Sequence, residues 1–580
     1  MPYKGWVAIA FFSVMAAAFL GPLRPKLVQL AIDNHIVPGD VDGLRQIILF
    51  LVLALVGEGV LSFVNGYLTQ WVGQQAIFDL RTGIFRHIQK QPLAFFDKTP
   101  IGKLITRTTS DVEALSDVLS AGVVTILGDI FRLIFIAYFM FSLNWILALV
   151  TLAVMPLMIW ATFVFRRKVS EQYRETRKQV ARLNSFMQEH VTGMSIVQLF
   201  NREREEARRF RGINDDHRNA QVKTIFYFAL FWPSVEIIAS VALGLVIWFG
   251  GLRAMSGVLT LGVLVAFIQY ARQFFEPIRN LSDQYNTLLS AMAGAERIFG
   301  VLDEDQSFKE TEQPVQIENL EGKIEFKNVW FTYDRVTPEQ VKADGKDINW
   351  ILRDVSFVAE PGQSTAIVGA TGAGKTTIIN LLLRFYEIQR GQILVDGVDI
   401  NDYALHDLRR HIGLVLQDVF LFSGSVERNL TLDDPDVSPE RVREAARLIG
   451  ADAFIEKLPE GYQQDVRERG ASLSHGQRQL LSFVRALVYD PEVLVLDEAT
   501  SSVDTESEYL IQEALEKLMY GRTSVVIAHR LSTIQHADQI LVMHRGEIRE
   551  RGTHQALLAE GGLYRKLYEL QYKEQEARAA

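Results

Sequence analysis

The sequence predicts an all-α domain of six transmembrane helices followed by an α/β domain of the P-loop type. Six apolar runs, each long enough to cross a bilayer, lie in the first half of the 580-residue chain. The second half contains a short apolar run, a glycine-rich loop and a helix-like segment, in that order. The charge divides in the same way. Residues 1–300 hold 29 Lys and Arg against 22 Asp and Glu, whereas residues 301–580 hold 31 against 47.

The composition limits the class of protein. Hydrophobic residues make up 48% of the chain and charged residues 22%, which excludes a disordered, collagen-like or low-complexity protein. The net charge of -9 argues against nucleic acid as the main partner. The chain has no cysteine, so a disulfide framework, a thiolate zinc site and a cysteine nucleophile are excluded.

The predicted membrane spans are apolar on all sides, whereas helices of soluble proteins are apolar on one face. They cover about residues 6–30, 46–70, 119–142, 144–165, 224–250 and 258–278. A signal peptide is the alternative for the first run, because Lys4 precedes it and three alanines at 16–18 lie within it. The run continues past these alanines and five more runs follow it, which favours a membrane span.

The orientation follows from the placement of Lys and Arg, which are retained on the cytoplasmic side. The two long segments after the second and fourth spans are basic, with residues such as Arg81, Lys90, Arg167 and Arg174. The sequence therefore predicts a multi-pass protein of the cytoplasmic (inner) membrane with both termini in the cytoplasm. The basic segments also have helical patterning, so we expect membrane helices to continue into the cytosol.

Four charged residues lie near the middle of predicted spans: Glu58, Asp129, Arg132 and Glu236. A charge at the bilayer centre costs about 2.5–3.5 kcal/mol on insertion scales, so each should face the bundle interior or water. Asp129 and Arg132 are three residues apart and can pair on one helix face. Glu58 and Glu236 have no evident local partner. They either line a transport cavity that favours cationic or zwitterionic cargo or form hydrogen bonds between helices.

The glycine loop follows a run with β character at 364–368 and has the spacing G-x4-G-K-[ST]. Glycines allow backbone N–H groups to curl round phosphate oxygens, and a following helix adds the positive end of its dipole. Lys375 places a cation on the β- and γ-phosphates, and Thr376 offers a hydroxyl to Mg²⁺. The loop residues assigned to ATP binding are Gly369, Thr371, Gly372, Ala373, Gly374, Lys375, Thr376 and Thr377.

A second motif supplies carboxylates. The apolar run 493–496 is typical of a buried parallel strand and ends in Asp497 and Glu498. Asp497 can hold Mg²⁺ through water, and Glu498 can polarise the attacking water as a general base. A solvated acidic pair after a strand is the alternative, which the glycine loop elsewhere in the same domain disfavours.

Together these motifs resemble those of ABC transporters of the exporter type, in which a membrane domain is fused to an ATPase domain. The resemblance covers essentially all 580 residues. It rests on LSHGQ at 473–477, which is similar to the family signature LSGGQ, and on Gln417 (Q-loop), Asp504 (D-loop), His529 (switch histidine) and Tyr333 (adenine stacking). The resemblance implies ATP and Mg²⁺ as cofactors. It places Gln417 and His529 beside Glu498 in catalysis, and Thr376, Gln417 and Asp497 around the metal.

The resemblance also implies that two ATPase domains sandwich two ATP molecules, each touched by the signature of the other chain. In this chain the signature contacts are Ser474, His475, Gly476 and Gln477. His475 stands where the family usually has glycine, although Lys375 and Glu498 are retained. This asymmetry resembles that of bacterial heterodimeric multidrug exporters. We therefore expect a partner half-transporter with an intact signature and a weakened Walker B glutamate; a homodimer that tolerates His475 is the alternative.

The expected activity is ATP-driven export of a hydrophobic or amphipathic substrate, such as a drug, a lipid or a peptide. Residues 95–97, 100–102 and 109–112 resemble the family's first coupling region, and residues 189–203 resemble the second. An ATP-gated regulatory membrane protein and a soluble nucleic-acid ATPase are the rival classes, against which Glu498 and the six spans argue. Membrane lipids are expected partners, and nucleic acid is not.

The expected boundaries are a membrane domain at 1–305, a linker at 306–322, an ATPase domain at 323–572 and a tail at 573–580. The polar insertion at 334–350 is expected to be an extended surface turn.

Overall fold

The computed structural model describes residues 3–118, 123–304, 311–317, 319–334, 336–342, 348–497, 505–528 and 530–571. The chain divides into two compact units. The first comprises residues 1–89 and 101–304, and the second comprises residues 90–100 and 305–580. The first unit is helical and the second combines sheets and helices, so the predicted fold class is confirmed.

Long helices build the first unit. In chain order the helices up to residue 302 are α1 (Lys4–Ala31), α2 (Val41–Gln89), α3 (Leu93–Lys98), α4 (Ile101–Thr106), α5 (Val112–Asp117), α6 (Val123–Leu143), α7 (Trp145–Leu152), α8 (Met155–Thr192), α9 (Met194–Leu199), α10 (Glu203–Met255) and α11 (Leu261–Leu302). π-Helical turns follow α1 at Ile32–Ile36 and α4 at Arg107–Asp111. A bilayer needs about 20 helical residues, so α2 with 49 and α10 with 53 extend well beyond one crossing.

Five helical stretches of the described chain are long and apolar enough to span a membrane. They are Lys4–Ile36, Val41–Gln89, Val124–Leu143, Trp145–Thr192 and Glu203–Met255. The sixth predicted span falls on α11, which is not among these five. Polar and charged residues interrupt its apolar stretch at Gln269, Arg272, Gln273 and Glu276.

The core of the first unit lies where α6, α7, α8, α10 and α11 meet. Leu147, Ala242 and Phe267 are completely buried there. The break between α6 and α7 has a local cause, because the side-chain oxygen of Asn144 accepts hydrogen bonds from the first backbone N–H groups of α7 at 3.1 Å. The hydroxyl of Tyr270 donates to the carbonyl oxygen of Pro22 at 2.7 Å and ties α11 to α1.

Two of the charged residues of the spans, Glu58 and Arg132, have partners on other helices. Glu58 forms an ion pair with Arg24 of α1 at 3.1 Å. The sequence did not indicate this partner, because it lies on another helix. The expected pair of Asp129 and Arg132 is wrong, because Arg132 forms its ion pair with Glu276 of α11 at 3.5 Å. Sequence spacing identifies neighbours on one helix, whereas these pairs join residues 34 and 144 positions apart along the chain. Glu236 is exposed on α10.

The second unit contains two sheets. The strands are β1 (Ile324–Phe331), β2 (Leu352–Ala359), β3 (Ser364–Gly369), β4 (Arg390–Val395), β5 (Val398–Asp399), β6 (Ile412–Val415), β7 (Val493–Asp497), β8 (Thr523–Ile527), β9 (Gln539–His544) and β10 (Glu547–Gly552). A four-stranded antiparallel sheet has the order β2-β1-β4-β5. A six-stranded sheet has the order β10-β9-β3-β8-β7-β6 and is parallel except for β10.

The helices of the second unit pack round these sheets. After α3, which belongs to this unit, they are α12 (Pro338–Lys342), α13 (Lys375–Leu382), α14 (Leu405–Arg410), α15 (Val426–Thr431), α16 (Pro439–Ile449), α17 (Asp452–Ile455), α18 (His475–Val488), α19 (Thr505–Met519), α20 (Leu531–Gln535), α21 (His554–Glu560) and α22 (Leu563–Gln571). β7 and β8 are buried along almost their whole length, because both faces of a parallel sheet are covered.

The described residues of the insertion at 334–350 include a short helix in place of the expected surface turn. This helix is α12, and Thr337 and Gln340 exchange side-chain and backbone hydrogen bonds at its start. Trp350 packs edge-on against Trp330 of β1 with ring centroids 5.4 Å apart. The guanidinium of Arg390 lies within 6 Å of both rings, and these contacts fasten the end of the insertion to the antiparallel sheet.

Candidate nucleotide-binding site

The glycine loop connects the carboxyl end of β3 to the first residue of α13. β3 lies between β8 and β9 in the six-stranded sheet, so the loop emerges at the centre of one sheet edge. Gly374 has φ +101°, and a Cβ atom there would lie 2.7 Å from the Leu352 side chain. Only glycine fits such a position without strain. Backbone N–H groups at this end of α13 are free of helical partners and favour an anion.

Lys375 is the buried cation of this loop. Its side chain is 9% exposed, and its ammonium donates to the carbonyl oxygens of Gly369 at 2.7 Å and Ala370 at 3.2 Å. Burial lowers the pKa of Lys375, while the negative charge of Asp497 acts in the opposite direction. A buried ammonium among glycines and helix N–H groups fits the phosphates of a nucleotide.

The carboxyl ends of neighbouring parallel strands bring the other predicted residues to the same edge. Asp497 ends β7, and Gln417 follows β6 by two residues and is exposed. Thr376 is the second residue of α13 and is exposed as well. These hydroxyl, amide and carboxylate oxygens are the ligand types that Mg²⁺ takes. Glu498, Asp504 and His529 lie outside the described residues.

Tyr333 joins the loop to a cluster of aromatic residues. Its hydroxyl lies 3.1 Å from the hydroxyl oxygen of Thr377 in α13. The ring packs edge-on against Phe331 and Tyr386, with centroids 4.8 and 5.0 Å apart. Tyr333 remains 38% exposed, as a stacking platform for a base requires.

Tyr386 is the residue that the sequence missed. Its hydroxyl donates a hydrogen bond to the carboxylate of Asp97 in α3, 289 positions away along the chain. Burial, together with this hydrogen bond, raises the pKa of Tyr386 above its usual range. Phe95 of the same short helix is 1% exposed. Residues 95–97 of the predicted coupling region therefore belong to the ATPase unit, and Asp97 contacts the tyrosine beside Tyr333.

The signature residues form the amino end of α18. Ser474 precedes the helix, and its hydroxyl accepts a hydrogen bond from the backbone N–H of Gln477 at 3.2 Å. The Gln477 side chain accepts from the backbone N–H of Ser474 at 2.9 Å, which completes a capping box. His475 is the first helical residue and Gly476 is buried behind it. His475 has an ordinary negative φ, so the backbone accepts the imidazole without strain.

Comparison with known proteins agrees with this geometry. Residues 7–278 match the ABC transporter transmembrane region and residues 352–501 match the ABC transporter family. An ATP-dependent lipid A-core flippase of Syntrophus aciditrophicus is 37% identical over 573 residues, which cover 99% of this chain and 93% of that protein. A probable multidrug resistance ABC transporter ATP-binding/permease protein of Bacillus subtilis is 39% identical over 508 residues, covering 87% of this chain and 73% of that protein.

A solved structure has the same fold over its full length. The structure of a bacterial Atm1-family ABC exporter with ATP bound matches with a TM-score of 0.78 and 27% identity, and the match covers 98% of both chains. The helical unit and the ATPase unit thus occur together in known transporters of this kind. The chain belongs to the ABC transporter family and is an ATP-hydrolysing membrane transporter whose transmembrane and ATPase regions form one polypeptide.

Proposed function

We propose that this chain is one half of an exporter that uses ATP to move a hydrophobic or amphipathic substrate across the cytoplasmic membrane. The observation that carries this proposal is the buried Lys375, set in a glycine loop near Asp497 in a chain with five membrane-length helices. The placement of Lys and Arg supports cytoplasmic termini. The names of the two relatives support a lipid or a drug as the substrate class.

Different residues near the sheet edge bind different parts of the ATP molecule. Lys375 and the backbone N–H groups from Gly372 to Thr377 hold the phosphates, and Tyr333 stacks on the base. Thr376, Gln417 and Asp497 would hold Mg²⁺ through their oxygen atoms, and the ion would supply positive charge to the phosphates. The buried ammonium becomes more effective once the phosphates displace water, because charges interact more strongly in a dry site.

Hydrolysis needs a base that receives a proton. Glu498 follows Asp497 directly and accepts the proton of the attacking water as the water oxygen bonds to the γ-phosphorus. The bond between the γ-phosphorus and the bridging oxygen then breaks and leaves ADP. His529 follows β8, the strand between β3 and β7, and orients the γ-phosphate for this step.

The hydrogen bond between Tyr386 and Asp97 connects the ATP site to α3. Because α3 lies between α2 and α4 in the chain, movement of the ATPase unit displaces the ends of both helices. ATP binding and hydrolysis thereby open the space between the membrane helices to one side of the membrane and then to the other.

Uptake into inside-out membrane vesicles tests the export proposal. Vesicles that contain this chain and its partner should accumulate a fluorescent lipid analogue or a cationic dye when ATP is added. Lys375→Ala vesicles should not accumulate either probe, because the phosphates lose their cation. Equal uptake by both vesicle preparations would contradict the proposal.

His475 supports a heterodimer as the assembled form. The residue begins α18, where the helix N-terminus faces the ATP of the partner's site in the proposed dimer. An imidazole there adds bulk at a position where glycine allows close approach to phosphate. This chain's Lys375 and Glu498 then work with the intact signature of a second half-transporter, whose own Walker B glutamate is weakened.

The unstrained backbone at His475 favours the second candidate, a homodimeric lipid or drug exporter. The ATPase activity of the chain expressed alone separates the two. A heterodimer subunit should show little activity alone, and His475→Gly should increase that activity by restoring the family signature. Full activity of the unmodified chain as a stable dimer would establish the homodimer.

A further inference from the structure

Four charged side chains from α1, α2, α6 and α11 lie close together. Arg24 pairs with Glu58 at 3.1 Å, and Arg132 pairs with Glu276 at 3.5 Å. The two pairs are adjacent across Gly21 of α1. A Cβ atom at Gly21 would lie 3.1 Å from the carboxylate of Glu58 and 4.0 Å from the guanidinium of Arg132. We call these four residues the intramembrane ion cluster.

Asp129 lies beside this cluster without a partner of its own. It is one helical turn from Arg132 and is 9% exposed. Its Oδ2 atom is buried and has no hydrogen-bond partner among the described residues. The Oε1 atom of Gln273 on α11 is also buried and has no partner among these residues. The Nε atoms of Arg24 and Arg132 are likewise buried and unpartnered within the described chain, although both guanidinium groups are engaged through their NH2 groups.

The charges around Asp129 do not balance it. Each of the two ion pairs has no net charge, because it joins one arginine to one glutamate. An ionised Asp129 would therefore give the site a net charge of one negative unit. Arg132 attracts that charge and Glu276 repels it, and these are the charged groups close enough to act on Asp129.

The other charged groups of the packed helices are engaged elsewhere or face outward. Lys26 of α1 donates to Gln29 at 2.7 Å, and Arg272 of α11 is exposed. α7, which also packs on α6, has no charged residue. No described cation besides Arg132 is therefore placed to neutralise Asp129.

We propose that Asp129 is a proton-binding site within the membrane domain, whose carboxyl group carries a proton in this conformation. A carboxylate that is buried in a bilayer without a paired cation is neutralised by protonation, because the ionised form loses its hydration. The proton comes from water, forms an O–H bond at Oδ2 and leaves to water when the helices part.

This inference goes beyond the export cycle and rests only on α6 spanning the bilayer. Infrared difference spectroscopy of the purified full-length protein in lipid tests it directly. The wild-type protein should show the stretching band of a protonated carboxyl group at neutral pH, and the band should be lost at alkaline pH. Asp129→Asn should lack the band, because the amide imitates the neutral acid without carrying the proton.

Matched variants assign the band. Glu58→Gln and Glu276→Gln should keep it, since those carboxylates are paired with arginines. If Asp129→Asn does not fold, Asp129→Glu serves instead, and a frequency shift of the band assigns it to this position.

The opposite results would overturn the proposal. A wild-type spectrum without the band at neutral pH would show an ionised Asp129, paired with Arg132 after a side-chain rotation. A band that remains unchanged in Asp129→Asn, or that stays in place in Asp129→Glu, would assign the proton to another group. Both readouts are independent of ATP hydrolysis and export, so either outcome leaves the proposed function separately testable.

Discussion

Replacing Tyr386 with phenylalanine should uncouple transport from ATP hydrolysis while leaving ATP binding intact. The substitution removes the hydroxyl that donates to Asp97 of α3. It keeps the aromatic ring, whose centroid lies 5.0 Å from that of Tyr333. The ring packing against Tyr333, the proposed adenine platform, is therefore preserved, and only the hydrogen bond to α3 is lost.

The size of the effect follows from the type of hydrogen bond. A bond to a charged acceptor contributes about 1.5–3 kcal/mol, and the half-buried position of Tyr386 places it near the lower end. A loss of about 1.4 kcal/mol corresponds to a tenfold change in an equilibrium. We expect up to a roughly tenfold decrease in substrate transported per ATP hydrolysed, measured in reconstituted liposomes, with little change in the KM for ATP.

A double-mutant cycle shows whether the two residues act as a unit. Asp97→Ala should reduce the ratio of transport to hydrolysis to a similar extent, and the double variant should lose little more. Tyr403→Phe is the matched control, because the hydroxyl of Tyr403 donates to a backbone carbonyl within the same domain at 3.0 Å. Fully additive losses, or an unchanged transport ratio in Tyr386→Phe, would refute this reasoning.

Three further predictions concern the glycine loop, Asp497 and the ion pair of Asp111 with Arg297. Gly374→Ala should weaken the binding of a fluorescent ATP analogue and destabilise the protein by about 1–2 kcal/mol, because its φ of +101° disfavours a side chain; unchanged binding would contradict the steric argument. The negative charge of Asp497 raises the pKa of Lys375 against the effect of burial, and Asp497→Asn removes that charge. In the absence of metal, the ATP affinity of the variant should therefore decrease at a lower alkaline pH than that of the wild type. Identical pH profiles of ATP affinity for the two proteins would contradict this interaction. Arg297 lowers the pKa of Asp111 through hydrogen bonds at 2.6 and 2.9 Å. That contribution to stability is present above the unfolded pKa of the carboxyl and is lost as the pH falls through its lowered folded value, so Arg297→Gln should flatten the acid limb of a thermal-stability profile.

The sequence predicted the fold class and the succession of strand, glycine loop and helix around Lys375, because both depend on local signals. Apolar runs of bilayer length identify membrane helices, and strand, glycine loop and helix in succession identify the loop around Lys375. Asp497 was placed correctly because an apolar run that ends in a carboxylate marks the carboxyl end of a buried strand. The catalytic roles of Glu498 and His529 stay predictions.

Contacts between distant segments could not be predicted in this way. The partners Tyr386 and Asp97, or Arg132 and Glu276, lie on separate elements, and nothing in their local sequence indicates which residue each will meet. The contacts of Trp350 at the end of the insertion were missed for the same reason, because it packs against Trp330 and Arg390 on neighbouring strands.

ATP hydrolysis and substrate uptake, measured in the same inside-out vesicles for the wild type and for Glu498→Gln, test the central claim most directly. If Glu498 is the base of an ATPase that drives the membrane helices, the variant should still bind ATP but should lose both hydrolysis and sustained uptake. Sustained uptake by the variant, or wild-type hydrolysis no faster than that of the variant, would contradict the account.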